Sequence, residues 1–430
     1  MVETVAVVGA GAKAAAIAAR AVTLRKLGVS NVPNIIVFEA KHIGAAWSGA
    51  SGYSSGFQSL CTPGEKDVGY PYAETTKRGS ASSAISPALF AEFSWSAFLI
   101  DTGRLANWVD RGRDHPSHRQ WAAYLAWVFA KAEAEGCVTV IRAEVIKVKS
   151  VGNCWEVLFQ LNNTPHTITV AGVVLTGTGT SRKIKQAPGM PNGHTFDAET
   201  FWSHRNSILR LQQGTIVVAG DGGGAGTIVA WLAEHFAENE LVFIQSITPA
   251  GTLFPRGDGY AERRWFSDPT DWPTLSLEHR QKILDRTEAG VVSLRLKNVV
   301  DRATNVGYVR GRATNATWQN QEISIAIEYD GQPSSPVLAD YLISAIGFDT
   351  WSLLGRVDHP AVGTLRNQAN ITLRENVLNT ILPDLTLGPI SGIPPGLHVP
   401  ALAGLARGPG MSNLGCLGLM ATSVLNRYCK

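Results

Sequence analysis

Short continuous apolar runs alternate along this chain with stretches of helical periodicity. Val5-Ala6-Val7-Val8 and Ile35-Ile36-Val37-Phe38 are such runs, and an alanine-rich segment from Lys13 to Leu27 lies between them. Runs of this kind predict strands buried on both faces, and the alanine-rich segment predicts a helix. The same pattern predicts strands at Val138–Ile141, Val145–Val148, Trp155–Phe159 and Val173–Thr176. Phe90–Trp108 and Arg119–Ala134 predict amphipathic helices, the second with Trp121, Tyr124, Leu125 and Val128 at helical spacing. Farther on, Ile216–Ala219, Leu241–Ile244 and Asp340–Ala345 predict strands, Leu275–Glu288 a helix, and the residues after Leu414 a last apolar helix. Gly44–Pro71 is a loop rich in Gly, Ser and aromatic residues, long enough to be functional. Strands alternating with helices predict an α/β fold.

Two of the predicted strands end in glycine turns that open helices. The first turn is Gly9-Ala10-Gly11-Ala12-Lys13-Ala14, and the second is Gly220-Asp221-Gly222-Gly223-Gly224-Ala225. In each, the glycines allow a tight turn and a close approach to a pyrophosphate, and the small residue (Ala14, Ala225) lets the helix pack on the strand. Exposed N–H groups and the helix dipole favour the phosphate charge. The strand after the first turn ends in Glu39, placed to grip a ribose hydroxyl. A complete fingerprint at the start of the chain points to FAD. The strand after the second turn runs into Gln245-Ser246, with no acid to repel a 2′-phosphate, and Arg256 follows. That combination suits NADPH, with Ser246 and Arg256 as its candidate ligands. Two nucleotides imply a protein that carries electrons between them.

Composition narrows the class. The 430 residues are 45% hydrophobic and 17% charged with a net charge of +3, which fits a compact enzyme of several domains and offers no basic field for nucleic acid. No apolar run approaches a membrane span and no leader precedes Thr4, so a cytoplasmic location is expected. The 5 cysteines lack CxxC spacing and the histidines lack ligand spacing, so no metal or disulfide framework is expected.

The motifs resemble those of the flavin-dependent N-hydroxylating monooxygenases of siderophore biosynthesis, and most those of actinobacterial lysine N6-monooxygenases of the mycobactin and nocobactin type. The resemblance runs nearly end to end. It rests on Gly9–Ala14, Glu65–Tyr72, Trp108–Arg113, Trp121–Trp127, Trp265–Trp272, Tyr341–Phe348 and Gly408-Pro409-Gly410. It implies two Rossmann-like domains, with the FAD domain (residues 1–205 and 346–430) split by an inserted NADPH domain (206–345), and a small helical substrate region. It also implies NADPH reducing FAD, O2 captured as a flavin hydroperoxide, and a neutral terminal amine, that of L-lysine, attacking the distal oxygen. On this basis Trp47, Gln58 and Gly410 join Gly9, Gly11, Ala14 and Glu39 as FAD residues. Gly220, Gly222 and Ala225 join Ser246 and Arg256 for NADPH, and Lys66 becomes the partner of the substrate carboxylate.

Three positions depart from the family. Arg263 and Glu288 stand where the family has asparagines, and Leu417 where it has a serine near the substrate. Arg263 offers a bidentate grip on a carboxylate. The departures leave open another amine (ornithine, a diamine or a natural-product intermediate), or a poorly coupled or non-catalytic flavoprotein. A homo-oligomer, dimer or tetramer, is expected, with no nucleic-acid or membrane partner.

Overall fold

The computed structural model describes residues 2–51, 53–73, 79–366, 371–388 and 393–429. Thr4–Val8 is the middle strand of a parallel sheet ordered Leu397–His398, Gly172–Leu175, Thr4–Val8, Asn34–Phe38, Val138–Ile141. Gly214–Ala219 holds the same central place in a second parallel sheet, between Tyr341–Ser344 and Val242–Thr248, with Thr195–Asp197 and Val306–Arg310 at the edges. Each central strand delivers its glycine turn to the C-terminal edge of its sheet, where ligands bind in open α/β folds. The chain is thus α/β with two Rossmann-like units, as expected.

The connection between the units is a pair of crossings laid side by side. Thr180–Ser181 leaves the first unit and pairs antiparallel with Phe348–Asp349, which returns to it. Thr195–Asp197 belongs to the second sheet, and the helix Phe201–Ile208 packs on the second core. The first boundary, expected at 205/206, therefore falls nearer Ser181. The polar residues and turns of the crossing segment hide a three-residue strand that only sheet pairing defines.

Other departures from expectation have local causes. The predicted helix Phe90–Trp108 is three helices, Gly79–Phe93, Trp95–Asp101 and Leu105–Asp110. Ser94 makes the first break by capping the second helix, its side chain accepting from Ala97 N at 3.0 Å. The stretch Ser83–Asp101 is long and apolar enough to cross a membrane by composition, contrary to the expectation that no run is. Its residues Leu89, Phe93, Trp95, Phe98 and Leu99 are core residues packed with Trp121 and Tyr124. The helix Leu294–Arg302 and a three-stranded meander, Arg312–Gln319, Glu322–Tyr329 and Gln332–Ala339, lie where the pattern assigned nothing.

Candidate active site between two dinucleotide folds

At the first turn Gly9 has φ +97°, a conformation side chains rarely adopt, and a Cβ there would crowd Thr176 Oγ1. Its N–H donates to Phe38 O at 2.8 Å, which places the next residue, Glu39, beside the turn. The Glu39 carboxylate accepts from Ala10 N at 2.9 Å and from Lys41 N at 2.8 Å. Gly11 caps the helix Ala12–Lys26, the Trp47 indole lies against it, and Ala14 is fully buried below.

Two polar groups here fit a bound FAD. Gln58 Oε1 accepts from Ser54 Oγ, Ser55 N and Ser55 Oγ, while its Nε2 is buried without a partner. Lys13, in the first turn of the helix, is 8% exposed and has no hydrogen-bond or ion-pair partner among the described residues. Burial pulls its ammonium down to about 8. A buried cation at the positive end of a helix calls for an anion, which a pyrophosphate would supply.

The second turn repeats this geometry. Gly220 has φ +137°, Gly222 caps the helix Gly223–His235, and Ala225 is fully buried against Gly220. Gly220 N donates to Ile247 O at 3.0 Å, so the counterpart of Glu39 is Thr248. The strand expected to end at Ile244 continues to Thr248, and Ser246 lies inside it with no exposed surface. Ser246 therefore cannot reach a 2′-phosphate. The absence of an acid at the tip stands, but the tip is Thr248, paired in register with Arg310. The Arg310 guanidinium lies 4.5 Å from the centre of the Tyr329 ring, and its stem covers Gly251. No apolar run marks the strand end that carries Arg310, because pairing with Thr248 sets it.

Between the two units is a cavity of about 820 Å³. Lys66, Arg256, Arg263, Glu288 and Asn413 line it together, though they come from four separate segments. Arg256 lines this cavity and also an adjoining cleft with Gly257 and Glu262, and its Nε is buried without a partner. Lys66 packs over the rings of Tyr70 (5.4 Å) and Phe266 (5.7 Å). Burial lowers its pKa, and the charges of Arg263 and Arg256 add to this. Arg263 is largely exposed at the rim and paired with Asp258 at 3.0 Å. Glu288 ends the helix Leu277–Thr287, and its Oε2 accepts from Asn413 Nδ2 at 2.8 Å. Burial raises its pKa, against the lowering effects of Asn413, Arg256 and Lys66.

Leu417 and Gly410 take structural places. Leu417 is fully buried in the core and does not line the cavity. Gly410 is buried, and a Cβ on it would collide with the Phe266 carbonyl and Cys416 Sγ. Its lack of a side chain admits the Phe266 backbone.

Two dinucleotide folds facing one charged cavity are the architecture of an oxidoreductase that passes electrons between two nucleotides to a small molecule. Residues 85–319 match the family model described as L-lysine 6-monooxygenase/L-ornithine 5-monooxygenase. The L-lysine N6-monooxygenase MbtG of Mycobacterium sp. (strain MCS) is 34% identical over 436 residues, covering 99% of this chain and 95% of the relative. Lysine monooxygenase NbtG from Nocardia farcinica superposes with a TM-score of 0.81 at 30% identity, over 98% of this chain and 99% of that one. The Kutzneria sp. 744 ornithine N-hydroxylase, solved with reduced FAD, NADP+ and L-ornithine, shares the fold at a TM-score of 0.74 and 16% identity, over 100% and 99% of the two chains. The chain belongs to the L-lysine 6-monooxygenase/L-ornithine 5-monooxygenase family, and it is an enzyme.

Proposed function

We propose that this enzyme N-hydroxylates the terminal amine of L-lysine with FAD, NADPH and O2, providing a hydroxamate precursor for a siderophore. The observation that carries the reading is the cavity between the two units, which presents the half-buried Lys66 to a substrate carboxylate. Bound FAD would supply electron transfer from NADPH and activation of O2. Gly9, Gly11, Ala14 and Glu39 would hold its pyrophosphate and ribose, with Lys13 beside them, and Trp47 and Gln58 would approach its ring. Gly220, Gly222 and Ala225 would hold the NADPH pyrophosphate, and Thr248 and Arg310 its 2′-phosphate.

The remaining chemistry belongs to the side chains. Lys66 fixes the carboxylate end of the amino acid, so the distal amine is oriented by chain length. The cations of the cavity oppose a further positive charge, which favours the neutral, nucleophilic form of that amine. Phe266 and Leu414 help exclude water from the cavity.

The test is mass spectrometry of products from lysine, ornithine and diamines with FAD, NADPH and oxygen. N6-hydroxylysine as the main product is expected. Because Arg263 and Glu288 line the cavity where the family has asparagines, a dominant product from another amine would move the substrate and leave the reaction class intact. Reduction of FAD with no hydroxylated product from any amine would overturn the reading.

A further inference from the structure

Three acidic residues line the substrate cavity: Asp258 is paired with Arg263, Asp114 is exposed to solvent, and Glu288 is half-buried with no ion pair among the described residues. Arg263 takes Asp258, but no cation among the described residues lies within ion-pair distance of Glu288. Lys66 and Arg256 face it closely enough to be felt electrostatically. Its orientation is determined by the C-terminal segment. Asn413 Oδ1 accepts from Gly415 N at 2.6 Å, which fixes the amide so that Nδ2 points at Glu288 Oε2. Oε1 has no donor among the described residues, and Glu288 lines the cavity. The cavity thus offers a cation, Lys66, and an anchored carboxylate with a spare oxygen.

We propose that Glu288, anchored by Asn413, is the subsite for the α-ammonium of the substrate, so that with Lys66 it recognises a free amino acid as a zwitterion. This rests on the lysine-hydroxylation reading. The alternative, that Glu288 holds the reacting amine, conflicts with the chemistry. A carboxylate beside that amine would keep it protonated, and an ammonium has no lone pair with which to attack oxygen. At the α-amine the same charge does no harm, because that nitrogen must not react. The half-buried carboxylate gains a counter-charge, and Lys66 gains one from the substrate carboxylate.

The experiment compares wild type, Glu288→Gln and Glu288→Asp on lysine, 6-aminohexanoate (no α-ammonium) and cadaverine (no α-ammonium or carboxylate), reading hydroxylamine product, KM and kcat. Wild type should prefer lysine to 6-aminohexanoate. Glu288→Gln should raise the KM for lysine by about tenfold to a hundredfold, the range for a lost charge-assisted hydrogen bond. It should leave KM for 6-aminohexanoate and kcat nearly unchanged, and Glu288→Asp should recover part of the loss. An unaltered flavin spectrum checks that each variant is folded. An equal rise in KM for all three amines would assign Glu288 to the reacting amine and overturn the inference. So would a rise in KM confined to NADPH, or no change with lysine. If wild type makes no hydroxylamine from lysine at all, it is the lysine reading that fails.

Discussion

Lys13 and Arg310 are the two side chains whose charge the cofactors would complete. An unpaired ammonium in the first turn of the helix Ala12–Lys26 opposes the helix dipole and is buried as well. If the FAD pyrophosphate is its counter-ion, Lys13 is more firmly protonated in the complex than in the free protein, where its pKa is about 8. FAD affinity is then greatest below pH 8 and falls as pH rises above it. Glutamine at this position should weaken FAD binding about tenfold at pH 7 and flatten the pH dependence. Flavin fluorescence titrations of the apoprotein at pH 7 and 9.5 measure both, and an unchanged slope in the variant would exclude the pairing. The FAD-free chain has the opposite dependence. Its folded lysine holds a proton less tightly than the unfolded one (10.5), so folding stability rises with pH between about 8 and 10.5. Arg310 stands beside Thr248 at the second strand tip, so Arg310→Ala should raise KM for NADPH by about tenfold or more and leave KM for NADH unchanged. Equal effects on the two coenzymes would place the arginine elsewhere.

Among the elements, the loop carrying Lys66 depends on its neighbour Asp67. The Asp67 carboxylate accepts from Trp95 N (2.8 Å) at the start of helix Trp95–Asp101, from Gly69 N (3.0 Å) and from Tyr72 Oη (2.7 Å). It joins the substrate loop to the helix, and burial pushes its pKa up to about 7 despite these donors. The folded carboxyl therefore binds its proton more tightly than the unfolded one (3.8), and stability falls as pH rises from about 4 to 7. Asp67→Asn cannot accept from Trp95 N and Gly69 N through the same two oxygens. It should lose about 1–3 kcal/mol at pH 5, with a smaller deficit at pH 8, and raise KM for lysine. Urea denaturation at the two pH values tests the sign, and a deficit that grew with pH would contradict it. The same elements show what sequence can carry. Both glycine turns, Glu39 and the alternation of strand and helix were legible because each is a local pattern. The meander has a local signal too, in Ile323, Ile325 and Ile327 alternating into the core after left-handed Asn320 and Gln321, although its polar flanks mask it. The tip at Thr248 was misplaced because pairing with Arg310 extends the strand past its apolar residues. The contact between Glu288 and Asn413 has no local signature, since it joins residues 125 apart in the chain.

At the scale of the whole molecule, the inserted unit is held to the first by more than its paired crossings. The Trp265–Trp272 run, the most idiosyncratic motif of the chain, locks onto the C-terminal glycine-rich stretch. Trp272 is fully buried, and its Nε1 donates to Leu405 O at 2.9 Å. The Phe266 backbone lies on Gly410, and the Phe266 ring closes over the ammonium of Lys66 in the cavity. This contact brings the nicotinamide-binding unit and the substrate cavity into one assembly, so disturbing it should affect how well reduction is coupled to hydroxylation. Gly410→Ala places a methyl group against the Phe266 carbonyl and Cys416. Overpacking of this kind costs about 1–3 kcal/mol and pushes against the Phe266 backbone. NADPH oxidation should continue while less hydroxylamine forms per NADPH consumed, with the deficit appearing as hydrogen peroxide, because a displaced Phe266 admits water to the cavity. The ratio of hydroxylamine to NADPH consumed, measured with the peroxide yield, distinguishes this from simple destabilisation. If Gly410→Ala lowers the melting temperature but keeps the wild-type ratio below it, the contact between Phe266 and Gly410 serves only to hold the fold together.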